Sequence, residues 1–133
     1  VEMYVIIPNQ LPEINDGIYH YHPLNLSLEY IGLLPDKQVM DNLYKESWVK
    51  SASVIIVATA VFERSVTKYG ERGYRFALIE SGHIFQNLML ISTALGLKSN
   101  EFGAVNGSDV LLESLIGVDG VNESVVHMIA IGK

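Results

Sequence analysis

Residues 68–97 constrain the fold of this chain more than any other segment. The stretch is long enough for about eight helical turns. Its second half, residues 84–97, is apolar almost all round, which predicts a helix that is buried on most of its faces. Glu80, His83 and Asn87 follow one another at spacings of three and four, so they share one helical face. If that face is buried, we expect partners for it, because each unpaired polar group would cost about 1–3 kcal/mol.

Four other segments have the short β-branched or aromatic runs that are typical of strands. The predicted strands are residues 1–8, 17–22, 53–62 and 125–131. The first two lie so close together that they indicate a hairpin. The third is a continuous apolar run, which indicates a central strand that is buried on both faces. The sequence leaves residues 23–32 ambiguous.

Shorter helices are predicted where a polar cap precedes an apolar segment. Asp36 is expected to open a helix that ends at about Lys45, and Ser108 with Asp109 to cap a helix that ends at about Leu115. Residues 63–71 are predicted to form a polar turn or a short helix, and residues 100–107 a loop. The whole pattern predicts an α+β fold with antiparallel strand pairs and one dominant helix.

Composition excludes several classes of function. The 133 residues fit one domain, and the net charge of −6 argues against general nucleic-acid binding, which needs a basic face. The aromatic run at residues 18–22 could suggest a platform for stacking bases, but the negative net charge argues against that interpretation. The chain has no cysteine, so disulfides and thiolate chemistry are excluded. The longest apolar runs are shorter than the roughly 20 residues that a membrane span needs.

Lys68 and Tyr69 form the pair with the clearest chemical potential. A neighbouring ammonium favours the ionised form of a phenol, and a tyrosine prepared in this way can act as a general base or acid. The structural alternative is a surface lysine beside a packed tyrosine, which is the commoner meaning of such a dipeptide. Arg72 and Arg75 are expected to pair with Glu71 or Glu80 rather than to bind substrate.

Glu80 and His83 have a spacing that two metal ligands on one helix could adopt. No third ligand can be identified nearby, so we predict no metal site there. These side chains, together with Asn87, are expected to satisfy neighbouring groups, as most buried polar side chains do.

Several motifs together resemble one known family. The helix motif Glu80-Ser81-Gly82-His83, followed by Gln86-Asn87 and Ala94-Leu95-Gly96-Leu97, is similar to the nitroreductase superfamily. More narrowly, it is similar to the SagB/ThcOx-type FMN-dependent dehydrogenases, some of which oxidise azolines to azoles in peptides. Residues 17–23 resemble a strand of the same family, and residues 102–106 and 129–133 resemble its flavin-side loop and final strand. The resemblance implies an antiparallel-rich sheet that packs on a long central helix in an intertwined dimer.

The resemblance also implies roles for particular residues. In azoline-oxidising relatives a Lys-Tyr pair at the position of Lys68 and Tyr69 assists proton removal. The loop that begins with Phe102, Gly103 and Ala104 would point its backbone N–H groups at the flavin. Lys133 matches a basic position near the FMN phosphate.

The function that the resemblance implies is FMN-dependent dehydrogenation of azolines in a modified peptide. One alternative is a general nitro or quinone reductase that uses NAD(P)H, and another is a non-catalytic scaffold or partner subunit that has lost flavin binding. FMN would lie at a homodimer interface, the substrate would be a peptide or a small molecule, and the protein would be cytoplasmic.

The same resemblance covers only the C-terminal portion of a nitroreductase-like domain. It implies that the N-terminal flavin-binding helices lie outside residues 1–133, in a longer chain or in a partner chain that supplies the missing half. We therefore expect the isolated chain not to hold FMN tightly.

Overall fold

The central feature of the fold is a single antiparallel sheet. The computed structural model describes residues 1–44, 46–103 and 109–133. In that part of the chain the strands are β1 (Glu2–Ile7), β2 (Gly17–His22), β3 (Ser27–Gly32), β4 (Val54–Ala60), β5 (Lys98–Phe102) and β6 (Ser124–Gly132). Their order across the sheet is β3-β2-β1-β4-β6-β5, and every neighbouring pair is antiparallel. The predicted α+β class and the predicted hairpin of β1 with β2 are confirmed.

Four helices accompany the sheet in the described residues. They are α1 (Lys37–Leu43), α2 (Phe62–Tyr69), α3 (Arg72–Ala94) and α4 (Asp109–Ile116), with a 3₁₀ turn at Val49–Ser51. Helix α1 follows Asp36, whose carbonyl accepts the N–H of Val39 at 2.8 Å. The predicted caps of α1 and α4 therefore fall close to the observed starts, although Lys45 and Ser108 lie outside the described residues.

Strand β4 lies at the centre of the sheet, between β1 and β6. Its neighbouring residues Val57 and Ala58 are both fully buried and point to opposite faces, because side chains alternate along a strand. Val57 belongs to a core cluster that includes residues of α4, and Ala58 belongs to a second cluster with Phe85 of α3. The prediction of a central strand buried on both faces is confirmed.

A short helix, α2, precedes the long helix α3, in agreement with the prediction of a turn or short helix over residues 63–71. Gly70 has a φ of 62°, a left-handed conformation that glycine adopts easily, and it ends α2. Helix α3 then begins at Arg72. Lys68 and Tyr69 are consequently the last two residues of α2 and do not belong to the long helix.

Helix α3 buries only a narrow stripe, which corrects the expectation of burial on most faces. The buried residues recur mainly at every fourth position: Gly73, Ala77, Ser81, Phe85 and Ser92. Most of them are small, so the helix approaches its neighbours closely along this line. Ile79, Leu90, Ile91 and Leu95 are between 54% and 70% exposed. Glu80, His83 and Asn87 are exposed as well, so the predicted buried polar face is wrong for the single chain.

Strand β5 occupies part of the segment that was predicted to be a loop. Its sequence, Lys-Ser-Asn-Glu-Phe, is polar and lacks the β-branched residues that mark a strand. Pairing with β6 stabilises it, with Lys98 opposite Gly132 and Phe102 opposite Met128. Strand β5 matters for function, because it connects Lys98, at its start, with Gly103, just after its end.

Candidate functional site

Lys68 and Tyr69 lie on the surface, at the C-terminal end of α2. The Lys68 ammonium is 5.1 Å from the centroid of the Tyr69 ring. Phe76 of α3 packs edge-on against the Tyr69 ring, with the two ring centroids 5.3 Å apart. Tyr69 is 49% exposed, so its ring is held by neighbours while the side chain stays accessible. This arrangement suits a phenol that exchanges a proton with a bound molecule.

Arg72 and Arg75 add positive charge beside this pair. Both are exposed on the first turns of α3. Neither forms an ion pair with a carboxylate in the part of the chain that the structure describes. The expected pairing with Glu71 or Glu80 is therefore wrong, and both guanidinium groups are available to solvent or to a ligand.

A polar contact between β1 and α2 holds this helix in place. Glu2 accepts a hydrogen bond from Arg64 of α2, and its other carboxylate oxygen lies 3.2 Å from Nε2 of His20. Burial disfavours the charged form of Glu2, but the hydrogen bonds from Arg64 and His20 outweigh it and lower the pKa of this carboxyl. The contact fixes the helix that carries Lys68 and Tyr69 against the sheet.

Phe102 and Gly103 play different parts at the end of β5. The Phe102 ring is 7% exposed and belongs to the core, where it contacts Tyr44 and Trp48 edge-on. Gly103 is exposed, and a Cβ added to it would meet no atom of the described residues within 4 Å. Of the described residues in this segment, Gly103 has the open backbone that a cofactor could approach. Ala104 lies outside the described residues.

Two lysine side chains line a small cavity at the opposite end of β5. Lys98 and Lys133 both line this cavity of about 190 Å³, together with Trp48 and Ser51. The sequence analysis identified Lys133 but missed Lys98, because the strand that brings Lys98 beside the chain's last strand was not predicted. Five residue steps of about 3.3 Å separate Lys98 from Gly103, so these groups lie roughly 17 Å apart along the strand.

Ser81, His127 and Glu101 form a row that sequence spacing could not reveal. Ser81 Oγ is 3.4 Å from Nδ1 of His127, and Nε2 of His127 is 3.3 Å from Glu101. The His127 ring stacks on Phe85 with centroids 4.2 Å apart. Ser81 is 2% exposed, so its hydroxyl cannot reach a substrate. The row joins α3 to β5 and β6 and is structural.

The fold and these positions can now be compared with known proteins. Residues 20–133 match the Nitroreductase family. The chain belongs to the nitroreductase family. The family prediction made from the motifs is confirmed, and so is the nitroreductase-like fold.

Two relatives and one solved structure show how far the similarity extends. The nitroreductase-type protein MJ1384 of Methanocaldococcus jannaschii is 30% identical over 83% of this chain and 56% of its own length. The trifolitoxin-processing protein TfxB of Rhizobium leguminosarum is 29% identical over 100% of this chain and 36% of its own length. A chain of the Escherichia coli microcin synthetase McbBCD complex, solved with truncated pro-MccB17 bound, has a TM-score of 0.84 at 24% identity. That match covers 99% of this chain and 51% of the solved chain.

This nitroreductase-family chain therefore spans between about a third and slightly more than half of these proteins. The low identity to the solved structure shows the shared fold alone. No helix among the described residues is long and apolar enough to cross a membrane.

Proposed function

We propose that this chain is part of an FMN-dependent oxidoreductase that dehydrogenates azoline rings in a modified peptide. Family membership supports oxidoreductase chemistry. Similarity to TfxB, which is named for trifolitoxin processing, supports a peptide substrate.

The observation that carries the proposal is the accessible Tyr69 with the Lys68 ammonium beside its ring. Conversion of an azoline to an azole removes two hydrogens from the ring, one as a hydride with two electrons and one as a proton, and leaves a new double bond. FMN, when bound, supplies the acceptor for the hydride. Tyr69 takes the proton, and the Lys68 ammonium beside its ring assists this transfer.

Lys98, Lys133 and Gly103 are the residues that would hold FMN. Two lysines around one small cavity provide the positive charge that a phosphate needs. The open backbone at Gly103 allows a planar ring to come close, and an N–H group there can stabilise charge on its edge. We propose that residues outside these 133, or a partner chain, complete the site, because the relatives are much longer than the matched region. The isolated chain should then bind FMN only weakly.

The exposed side of α3 supports a homodimer. Ile79, Leu90 and Ile91 of α3, and Leu95 just after it, are apolar side chains that a single chain leaves exposed to water. Surfaces of this kind usually mark interfaces. Met89 is not part of this surface, since it packs in the second core cluster against the sheet.

Substitution of the Lys-Tyr pair tests the chemistry in the full-length, FMN-loaded protein. Tyr69→Phe should keep FMN but lose about 10²–10⁴-fold in turnover of an azoline peptide. Lys68→Ala should act in the same direction, and the double variant should lose far less than the sum, because both residues serve one proton transfer.

Tyr74→Phe is a matched control for this experiment. Tyr74 is 52% exposed and stacks on Phe62 rather than beside a lysine, so its hydroxyl should be dispensable. Flavin content and turnover are measured on the same samples. Full activity of Tyr69→Phe, or a loss that follows lost FMN, would refute the role of Tyr69.

A general NAD(P)H-dependent nitro or quinone reductase is the second candidate, favoured by the similarity to MJ1384. Rapid NAD(P)H oxidation with a nitroarene, combined with no turnover of azoline peptides, would select it. A full-length protein without flavin absorbance would instead select the non-catalytic scaffold.

A further inference from the structure

Strand β3 is an open edge of the sheet. It pairs with β2 on one side and lies at the end of the strand order, so no strand of the described residues borders its other side. Residues 27–30 pair with β2 in an unbroken register. In an antiparallel pair, every second residue directs its N–H and C=O groups away from the partner strand. These backbone groups of β3 can therefore pair with a further strand.

The two edges of the sheet differ in how they are protected. Edge strands usually carry charged side chains, above all lysine, or are covered by another element. Strand β5, at the opposite edge, begins with Lys98, carries Glu101 and packs against α3. Strand β3 has Glu29 as its single charged residue, and every residue before Gly32 is exposed. The β3 edge thus has little of the protection that the β5 edge has.

Apolar side chains lie along the open edge. Leu28 and Tyr30 are two positions apart, so they point to the same face of the sheet, and they are 40% and 50% exposed. The Tyr30 ring is held edge-on against Tyr19, with the two centroids 5.4 Å apart. In the turn before β3, Leu24 and Leu26 are 88% and 78% exposed. Anchored aromatic rings and exposed apolar side chains are typical of protein interfaces.

The charges near this edge indicate which partner would fit. Residues 1–36, which supply the first three strands, contain no lysine or arginine. They contain these carboxylates: Glu2, Glu13, Asp16, Glu29 and Asp36. In the described part of the chain, Glu2 alone among them forms ion pairs, with Arg64 and His20. A second copy of this edge would bring like charges together, and an anionic membrane or a nucleic acid would be repelled. A basic partner would be attracted.

We propose that β3 is a docking edge for a partner protein, which adds an extended segment to the sheet as a further strand. Main-chain hydrogen bonds to β3 hold the segment in place. Its apolar residues pack beside Leu28 and Tyr30, and lysine or arginine residues alternate with them on the face that carries Glu29. The edge lies across the sheet from Lys98 and Gly103. The proposal does not depend on the proposed function.

Synthetic heptapeptides of alternating lysine and valine, with blocked ends and a fluorescent label, test this proposal. Their affinity for the full-length protein is measured by fluorescence anisotropy. Glutamate in place of lysine should weaken binding by about tenfold. Two further peptides carry N-methyl groups on all lysines or on all valines. One of these two patterns removes the donors that face β3, and it should weaken binding at least tenfold.

Glu29→Lys reverses the charge at the centre of the edge. It should shift the ratio of lysine-peptide to glutamate-peptide affinity by about tenfold toward the glutamate peptide. Glu63→Lys is the matched control, because it makes the same charge change at an exposed residue of α2, and it should leave the ratio unchanged. Hydrogen exchange then locates the bound peptide: exchange should slow at residues 27–32 and not at residues 98–102.

Several results would overturn the proposal. Among them are binding that neither methylation pattern weakens, tighter binding of the glutamate peptide, and no saturable binding. Slower exchange at residues 98–102 alone would place the peptide on the wrong edge. Protection of the outward N–H groups of β3 before any peptide is added would mean that the protein's own chain or a second copy covers the edge. Displacement of the probe by an azoline peptide would assign the edge to the substrate. The exchange data on the wild type decide the matter even if Glu29→Lys fails to fold.

Discussion

Gly73 allows α2 and α3 to pack closely, and its replacement by alanine should be strongly destabilising. A Cβ at this position would lie 2.4 Å from the backbone carbon of Ser65 and 2.6 Å from the backbone nitrogen of Val66. Both atoms belong to the main chain of α2, so no side-chain rotation can relieve the clash, and the helix has to move. Overpacking of this kind costs about 1–3 kcal/mol, and the upper end applies here because the obstacle is backbone.

The net magnitude follows from two opposing effects. Alanine is better than glycine inside a helix by about 1 kcal/mol, which offsets part of the clash. A loss of about 2 kcal/mol remains, which corresponds to a fall of about 7 °C in the melting temperature for a domain of this size. Gly82→Ala is the matched control in the same helix, because a Cβ at Gly82 meets no atom within 4 Å in the part of the chain that the structure describes. It should gain up to about 1 kcal/mol.

Thermal and urea unfolding of both variants and the wild type, at one protein concentration, measure this difference. The two alanine variants should differ by about 3 kcal/mol in the free energy of unfolding. Equal stabilities, or a Gly73→Ala variant as stable as the wild type, would show that α2 does not pack on α3 at this position. The placement of Lys68 and Tyr69 would then be wrong as well, since α2 carries both.

Three further predictions concern the cofactor, the dimer and pH. Lys98→Ala and Lys133→Ala should each weaken FMN binding to the full-length protein by about tenfold in a fluorescence titration. Lys50→Ala should not, because Lys50 does not line the cavity around Lys98 and Lys133. Equal affinities in all three variants would show that this cavity is not part of the cofactor site. Ile91→Glu should abolish self-association in light scattering, while Val121→Glu, at a position that is 82% exposed in a loop, should not, and a normal dimer for Ile91→Glu would place the interface elsewhere. The folded-state pKa of Glu2 is lowered from its ordinary value of 4.5, so its contribution is present above pH 4.5 and is lost as the pH falls through the folded pKa. The stability advantage of the wild type over Glu2→Gln in urea unfolding should therefore shrink below pH 4.5, and an advantage that grows there would contradict the contact with Arg64.

The sequence predicted the elements whose local pattern agrees with their surroundings. Strands β1, β2, β4 and β6 have β-branched or aromatic runs, and all four were found close to their predicted ends. Strand β5 was missed because its polar residues carry no strand pattern, and only pairing with β6 stabilises it. The short helix before α3 was predicted over residues 63–71, and a single left-handed glycine, Gly70, sets the point at which it ends.

The candidate site was harder to predict from the sequence, because some of its residues come together only through strand pairing. Lys68 and Tyr69 are neighbours in sequence and could be found by reading along the chain. Lys98 and Lys133 are brought together only by the register of β5 on β6. The apolar side of α3 could not be assigned to core or interface, because a helix that is apolar all round looks the same in both places.

The measurement that tests the central claim most directly is the reduction of bound flavin by substrate. The full-length protein is mixed without oxygen with an azoline peptide, and the loss of oxidised-flavin absorbance is followed by stopped flow. We predict rapid bleaching for the wild type, and bleaching that is about 10²–10⁴-fold slower for Tyr69→Phe with the same FMN content. Equal bleaching rates in the two proteins, or a full-length protein that carries no flavin, would contradict the account.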